Sequence, residues 1–323
     1  MNSVNWLTGF CCLCAAATAI SHPSSGIVVN ERGEVFFVHS GRGLAKLESG
    51  GMTSTSSPSH AIDLGRGGTR PSQLTYTHQS TGGHWLCLDP NGSFSRTQPK
   101  HFARVTPEGV RPAIIFADGG APIAVGRDGN LYYASNWAGG DEHTPGGLTV
   151  SRLSPDGKLS HVSPSLKDTL AKLDEGVTGL AAGSDGLLYV ASPSSIFKLN
   201  LDGTVTLLAR PAAVADCDED LPPNWRAPGF RGLDVATNGT VYAAATGCRC
   251  VVKITSAGQV TTLLKSERPW NPTGVALRDG DVYVLEWTHA NGGANDGWRP
   301  RVRKIARGGT VSLLVEIKEE VKR

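Results

Sequence analysis

The residues of this chain able to do chemistry stand far apart. His39, His84, His143 and His289 share none of the short ligand spacings that mark a zinc site along a sequence. Oxygen donors form a second group. Asp118, Glu175 and Asn271 each stand a few residues ahead of an apolar run, with Gln73 and Arg231 at comparable places. Two carboxylates and an amide would give a hard cation such as Ca²⁺ three oxygens, with water completing its shell. Arg231 would instead pair with a carboxylate and plug the same place. A third group is aromatic and charged: Trp270, then Glu286, Trp287 and His289, followed by Asp296, Trp298 and Arg299. Tryptophans in loops cost solubility unless they pack or bind.

A repeat positions these residues. An apolar strand, a basic residue, a turn glycine and another apolar strand recur six times. The basic residues are Lys46, Arg104, Arg152, Lys198, Lys253 and Lys304, and the glycines are Gly51, Gly109, Gly157, Gly203, Gly258 and Gly309. A second hairpin precedes each copy, turning at Gly33, Gly83, Gly129, Gly186, Gly239 and Gly280. Each unit is thus four short antiparallel strands, a to d, with glycine supplying positive φ at the turns. Six such sheets set radially make an all-β, six-bladed β-propeller, because each sheet buries faces it cannot bury alone. The blades fall at about 26–64, 72–116, 122–163, 177–209, 231–264 and 273–315, so residues 20–323 form one domain. The basic residues lie in the third strand. Period-2 alternation turns them away from apolar neighbours and onto a solvated strand face, so they carry no assigned function.

Antiparallel order sorts the loops. The a–b and c–d turns share one end of the molecule; the b–c and d–a connections share the other and hold most of the added length. Loops on a rigid scaffold are where binding concentrates. His39, Arg231, Trp270, Glu286, Trp287 and His289 are therefore the candidate ligand contacts, and Asp118, Glu175 and Asn271 the candidate metal ligands around the channel mouth. The expected partner is a small molecule or a protein on this face. The chain is expected to be a monomer.

Composition narrows the setting. Forty glycines and 19% charged residues suit a turn-rich β fold. A net charge of +2 provides no field for nucleic acid or an anionic membrane. No charge occurs in the first 25 residues, and the apolar stretch from Trp6 to Ile20 contains Ala17-Thr18-Ala19, an A-x-A cleavage signal. Residues 1–19 thus read as a signal peptide cleaved after Ala19, with export to a periplasmic or extracellular space. No run is long enough for a transmembrane span. In an oxidising compartment, Cys217 is expected to pair with Cys248 or Cys250. The rival use of these thiols is a metal site, with Asp216, Asp218, Glu219 and Asp220 nearby.

The segment Gly179-Leu180-Ala181-Ala182-Gly183-Ser184-Asp185-Gly186-Leu187-Leu188-Tyr189-Val190-Ala191 resembles an NHL repeat, as does Thr273-Gly274-Val275-Ala276-Leu277 with Val282-Tyr283-Val284. The chain beyond its leader is similar to NHL-repeat and SMP-30/gluconolactonase-like six-bladed propellers. In the lactonase branch, that resemblance implies a central divalent metal, Ca²⁺ or Zn²⁺, which polarises a lactone and activates water. Asn271-Pro272-Thr273-Gly274 resembles the segment carrying the family's ligating Asn. The family's first ligating Glu lies in a Glu-x-Pro segment, and Ser24-Ser25-Gly26-Ile27 has no carboxylate there. Peptide-amidating lyases resemble the chain in repeats, without a residue-by-residue match to their metal histidines. Two expectations follow: an exported ligand-binding propeller, or a metal-dependent lactone or ester hydrolase.

Overall fold

The structure is a computed structural model that describes residues 26–29, 33–39, 43–47, 70–76, 84–89, 101–106, 109–113, 122–126, 128–137, 147–154, 158–162, 177–200, 202, 204–214, 217, 229–289 and 298–317. Its strands form six antiparallel sheets in which spatial order follows chain order. The first sheet holds β1 (Ile27–Val29), β2 (Val35–His39) and β3 (Gly43–Leu47). The second holds β4 (Arg70–Tyr76), β5 (His84–Asp89), β6 (His101–Thr106) and β7 (Gly109–Ala113). The third holds β8 (Ile123–Val125), β9 (Leu131–Trp137), β10 (Gly147–Leu153) and β11 (Leu159–His161). The fourth holds β12 (Gly179–Ala182), β13 (Leu188–Ser192), β14 (Ser195–Leu199) and β15 (Val205–Ala209). The fifth holds β16 (Phe230–Val235), β17 (Val241–Ala245), β18 (Cys250–Ile254) and β19 (Val260–Lys265). The sixth holds β20 (Asn271–Arg278), β21 (Asp281–His289), β22 (Trp298–Ile305) and β23 (Val311–Glu316).

Five of the described hairpin turns share one construction. In the turn after β12, the Gly183 N–H donates to the Leu187 carbonyl and the Gly186 N–H to the Gly183 carbonyl. The turns after β8, β16, β18 and β22 repeat this pattern at Gly129, Gly239, Gly258 and Gly309. Those glycines sit at φ 76–87°, which side chains disfavour. An acidic residue just ahead of the glycine fastens two of the turns. Asp185 accepts from the Leu187 N–H at 3.2 Å and from the Tyr189 hydroxyl at 2.9 Å; Asp128 does the same with the Asn130 N–H and Tyr132.

The first strands neighbour one another in a cycle, β1 beside β4, then β8, β12, β16 and β20, which returns to β1. They are therefore the innermost strands of a six-bladed β-propeller. Apolar clusters fill the spaces between blades. Ile196, Leu208, Phe230 and Val252 join blades four and five, and Val251, Leu264, Val284 and Ile305 join five and six. At the ring's seam, Phe37 and Val35 of blade one pack with Leu285, Trp287 and Val302 of blade six. Blade six is built from four consecutive strands of its own, so the described part of the seam is apolar packing without strand exchange. Hydroxyl groups add latches between blades: Thr178 Oγ1 donates to the Phe230 carbonyl at 2.7 Å and Thr246 Oγ1 to the Pro272 carbonyl at 2.7 Å.

In the third strands, Lys304 reaches Asp281 at 2.5 Å and lies over the Tyr283 ring at 5.5 Å, while Arg152 donates to Ser160. These are strand-surface partnerships, in keeping with the reading of the basic repeat as a solvated face.

Candidate mouth of the channel

All six innermost strands start at the end opposite the a–b turns, so the residues that open them gather around one mouth of the ring. Arg231 is the second residue of β16 and Asn271 the first of β20, on neighbouring inner strands. Asn271 donates its amide N–H to the Pro269 carbonyl at 3.2 Å, which fixes the amide and leaves Oδ1 for a ligand. Arg231 is half-buried, and burial holds its guanidinium below the ordinary arginine range, as expected for a charge with little water around it. The backbone is tight here: a Cβ on Gly179 would collide with the Arg231 carbonyl oxygen and the Leu233 side chain. Gln73 lies in β4, and Asp118 and Glu175 lie outside the described residues. Among the described residues, no group of three or more His, Cys, Asp or Glu side chains is placed to hold a metal. Asn271 on its own fits one oxygen donor of such a centre.

Other candidates took a different place from the one expected. Glu286, Trp287 and His289 were expected in a loop, but β21 runs through them, and so does β22 through Trp298 and Arg299. The ladder continues because Glu286 pairs with Arg301, Trp287 with Pro300, Thr288 with Arg299 and His289 with Trp298. Strand alternation then divides them by face. Trp287 is fully buried toward blade one, which removes it from ligand contact. Glu286 is fully buried on the opposite face, toward blade five, and accepts from Ser266, from Arg301 Nε at 2.6 Å and from Arg303 Nε at 2.6 Å. Trp270, 7% exposed, lies under the Arg301 guanidinium at 4.2 Å.

Glu267, just after β19, closes this assembly from blade five, with its carboxylate 2.5 Å from Arg301 Nη1. The hydrogen bond from Arg301 pulls the Glu267 carboxyl down to about 2. For Arg301, burial works against the charge, but the bonds and charges of Glu267 and Glu286 outweigh it and raise the group above its ordinary value. The assembly thus braces the wall beside the mouth. Arg301, Arg303, Ser266 and Glu267 were not among the expected site residues. The signal was present: arginines at 299, 301 and 303 alternate with period 2 opposite Glu286.

His39 ends β2 and His289 ends β21, both at the mouth end of second strands in adjacent blades. Of the cysteines, Cys217 and Cys248 form the disulfide, with Cα atoms 4.4 Å apart. Cys250 is a buried thiol outside the disulfide and donates to the Cys248 carbonyl at 3.1 Å. The pairing that was open in sequence is thereby decided: Cys248 sits in the turn ahead of β18, while Cys250 is the first residue of that strand. The expected leader, residues 1–19, lies outside the described residues. No described helix is long and apolar enough to cross a membrane.

Solved structures share this architecture. A streptogramin B lyase matches at a TM-score of 0.53 and 16% identity, over 94% of this chain and 86% of that one. A catalytically inactive variant of virginiamycin B lyase from Staphylococcus aureus, solved with quinupristin, matches at 0.53 and 17%, over 92% and 85%. A gluconolactonase from Xanthomonas campestris matches at 0.51 and 14%, over 82% and 84%. The likeness shows the fold, a β-propeller. No protein-family model matches the sequence. No curated protein matches it at the sequence level.

Proposed function

We propose that the mouth of the propeller binds a small organic molecule, with Arg231 and Asn271 as its polar contacts. One observation carries this reading: a poorly solvated guanidinium and an oriented amide stand at the same end of neighbouring inner strands. Concave sites with a few convergent polar groups are the usual form of small-molecule sites. The braced wall of Glu286, Arg301 and Trp270 supplies rigidity rather than contact. Export belongs to the same proposal, because the Cys217–Cys248 disulfide suits an oxidising compartment.

A second reading is hydrolysis of a lactone or ester with a divalent metal. It is favoured by Asn271, whose free Oδ1 suits a cation, and by the fold shared with a gluconolactonase. Asp118, Glu175 and Asn271 would hold the ion, which supplies Lewis-acid polarisation of the carbonyl when bound. Arg231 would then orient an anionic part of the substrate from the adjacent strand.

A single set of measurements separates the two. Purified protein is analysed for metal, then screened by thermal shift and turnover against lactones, esters and quinupristin, with and without added Ca²⁺ or Zn²⁺. A ligand whose affinity falls about tenfold or more in Arg231→Ala and Asn271→Ala is the expected result. Ligands that bind both variants as well as the parent would remove the mouth from consideration. Protein that is metal-free and inactive with either ion added would remove the hydrolase reading alone.

A further inference from the structure

Between blades five and six, above their apolar contact, lies a cluster of charged side chains with an unbalanced composition. The face of blade six turned toward blade five carries Glu286 and Thr288 from β21 and Arg299, Arg301 and Arg303 from β22. Glu267 of blade five closes it, ion-paired to both Arg301 and Arg303. Among the described residues, three guanidinium groups thus stand beside two carboxylates, both of them taken by Arg301 and Arg303. The hydrogen bonds are unbalanced in the same sense. Arg301 uses Nε on Glu286 and Nη1 on Glu267, while its buried Nη2 has no partner among the described residues. The same holds for Arg299 Nε and for the hydroxyl of Thr288, which stands directly across from Arg299. Arg301 is 5% exposed and Thr288 1%. Buried polar groups are satisfied as a rule, and what these three lack is an acceptor carrying negative charge.

We infer that this cluster binds a small oxyanion, a phosphate or carboxylate group held by Arg299, Arg301 and Thr288. Guanidinium groups present paired N–H donors to such an anion and a hydroxyl completes the set. The anion would also neutralise the excess charge beside the buried Arg301. Glu267, whose side chain is 59% exposed, marks the edge through which it enters. The site lies between two blades and not at the channel mouth, so it stands or falls independently of Arg231 and Asn271.

The test uses the full chain and inorganic phosphate, with acetate in parallel and chloride at matched ionic strength as the reference. Thermal stability and calorimetry are read in the parent, in Arg299→Gln, Thr288→Val and Asp296→Asn, and in Arg210→Gln as an exposed-arginine control. The expected result is saturable stabilisation by phosphate or by acetate beyond that given by chloride. Affinity should fall roughly tenfold or more in Arg299→Gln, less in Thr288→Val, and not at all in Arg210→Gln. Preference for one anion assigns the group. No saturable effect with either anion overturns the inference, as does an equal loss in Arg210→Gln. Binding that emerges only in Asp296→Asn also overturns it, since the donors would then serve a carboxylate of the chain's own b–c connection.

Discussion

Single side chains in this propeller act chiefly across blade boundaries. Asp234 of β16 accepts the backbone N–H of Val235 at 2.7 Å and that of Leu277 in β20 at 2.8 Å, tying two inner strands together. Burial, only partly offset by those two bonds, raises its carboxyl from 3.8 to about 6. A carboxyl whose folded value lies above its unfolded one contributes stability that is complete below about pH 4 and lost as pH rises through about 6. Unfolding by urea should therefore show stability falling by at most about 3 kcal/mol across that window. In Asp234→Asn the slope should disappear. A parent protein equally stable at pH 4 and pH 7 would contradict the assignment. Glu286 shows the opposite solution to burial, with two arginines and a serine surrounding a carboxylate that no solvent reaches.

Among the elements, the a–b hairpins after β8 and β12 are built alike. Gly126 and Gly183 sit where the turn acid and the following tyrosine close over the backbone. A Cβ on Gly183 would strike Asp185 Oδ1 and come within 2.8 Å of Tyr189 Cε2. Gly183→Ala should thus cost about 1–3 kcal/mol by forcing that pair apart. Alanine at Gly308, which meets nothing nearby, serves as the comparison in the same urea titration. Equal midpoints for the two variants would show that the Asp–Tyr clasp yields freely. The hairpins were legible in the sequence because a turn glycine recurs between alternating apolar stretches. The length of β21 and β22 was not, because a polar stretch such as Glu286-Trp287-Thr288-His289 reads as loop until its partner strand is known. Pairing with Trp298–Arg301 keeps it extended.

For the molecule as a whole, stability rests on how the ring is joined. Phe37 is fully buried within the cluster that unites blade one with blade six. Phe37→Ala should cost about 3–5 kcal/mol, and the loss should appear in hydrogen exchange as faster opening of β20 and β21 along with β1 and β2. Exchange altered in blade one alone would mean that the seam does not couple the two blades. The disulfide acts more locally, joining the d–a connection before blade five to that blade's own b–c turn, 31 residues apart in sequence.

The sequence by itself determined the six-fold repeat, the turns at Gly33, Gly129, Gly186, Gly239, Gly258, Gly280 and Gly309, and the end of the molecule at which the b–c and d–a connections lie. These follow from period-2 alternation and from glycine's access to positive φ, both properties of a few consecutive residues. Tertiary structure decided the rest. It chose Cys248 over Cys250 as the partner of Cys217, turned Trp287 into core and enclosed Glu286 between arginines. It also joined Asp234 to Leu277, and Phe37 to Trp287. Each of these depends on which strand lies opposite or which blade lies beside, and contacts between residues tens to hundreds of positions apart leave no local pattern along the chain.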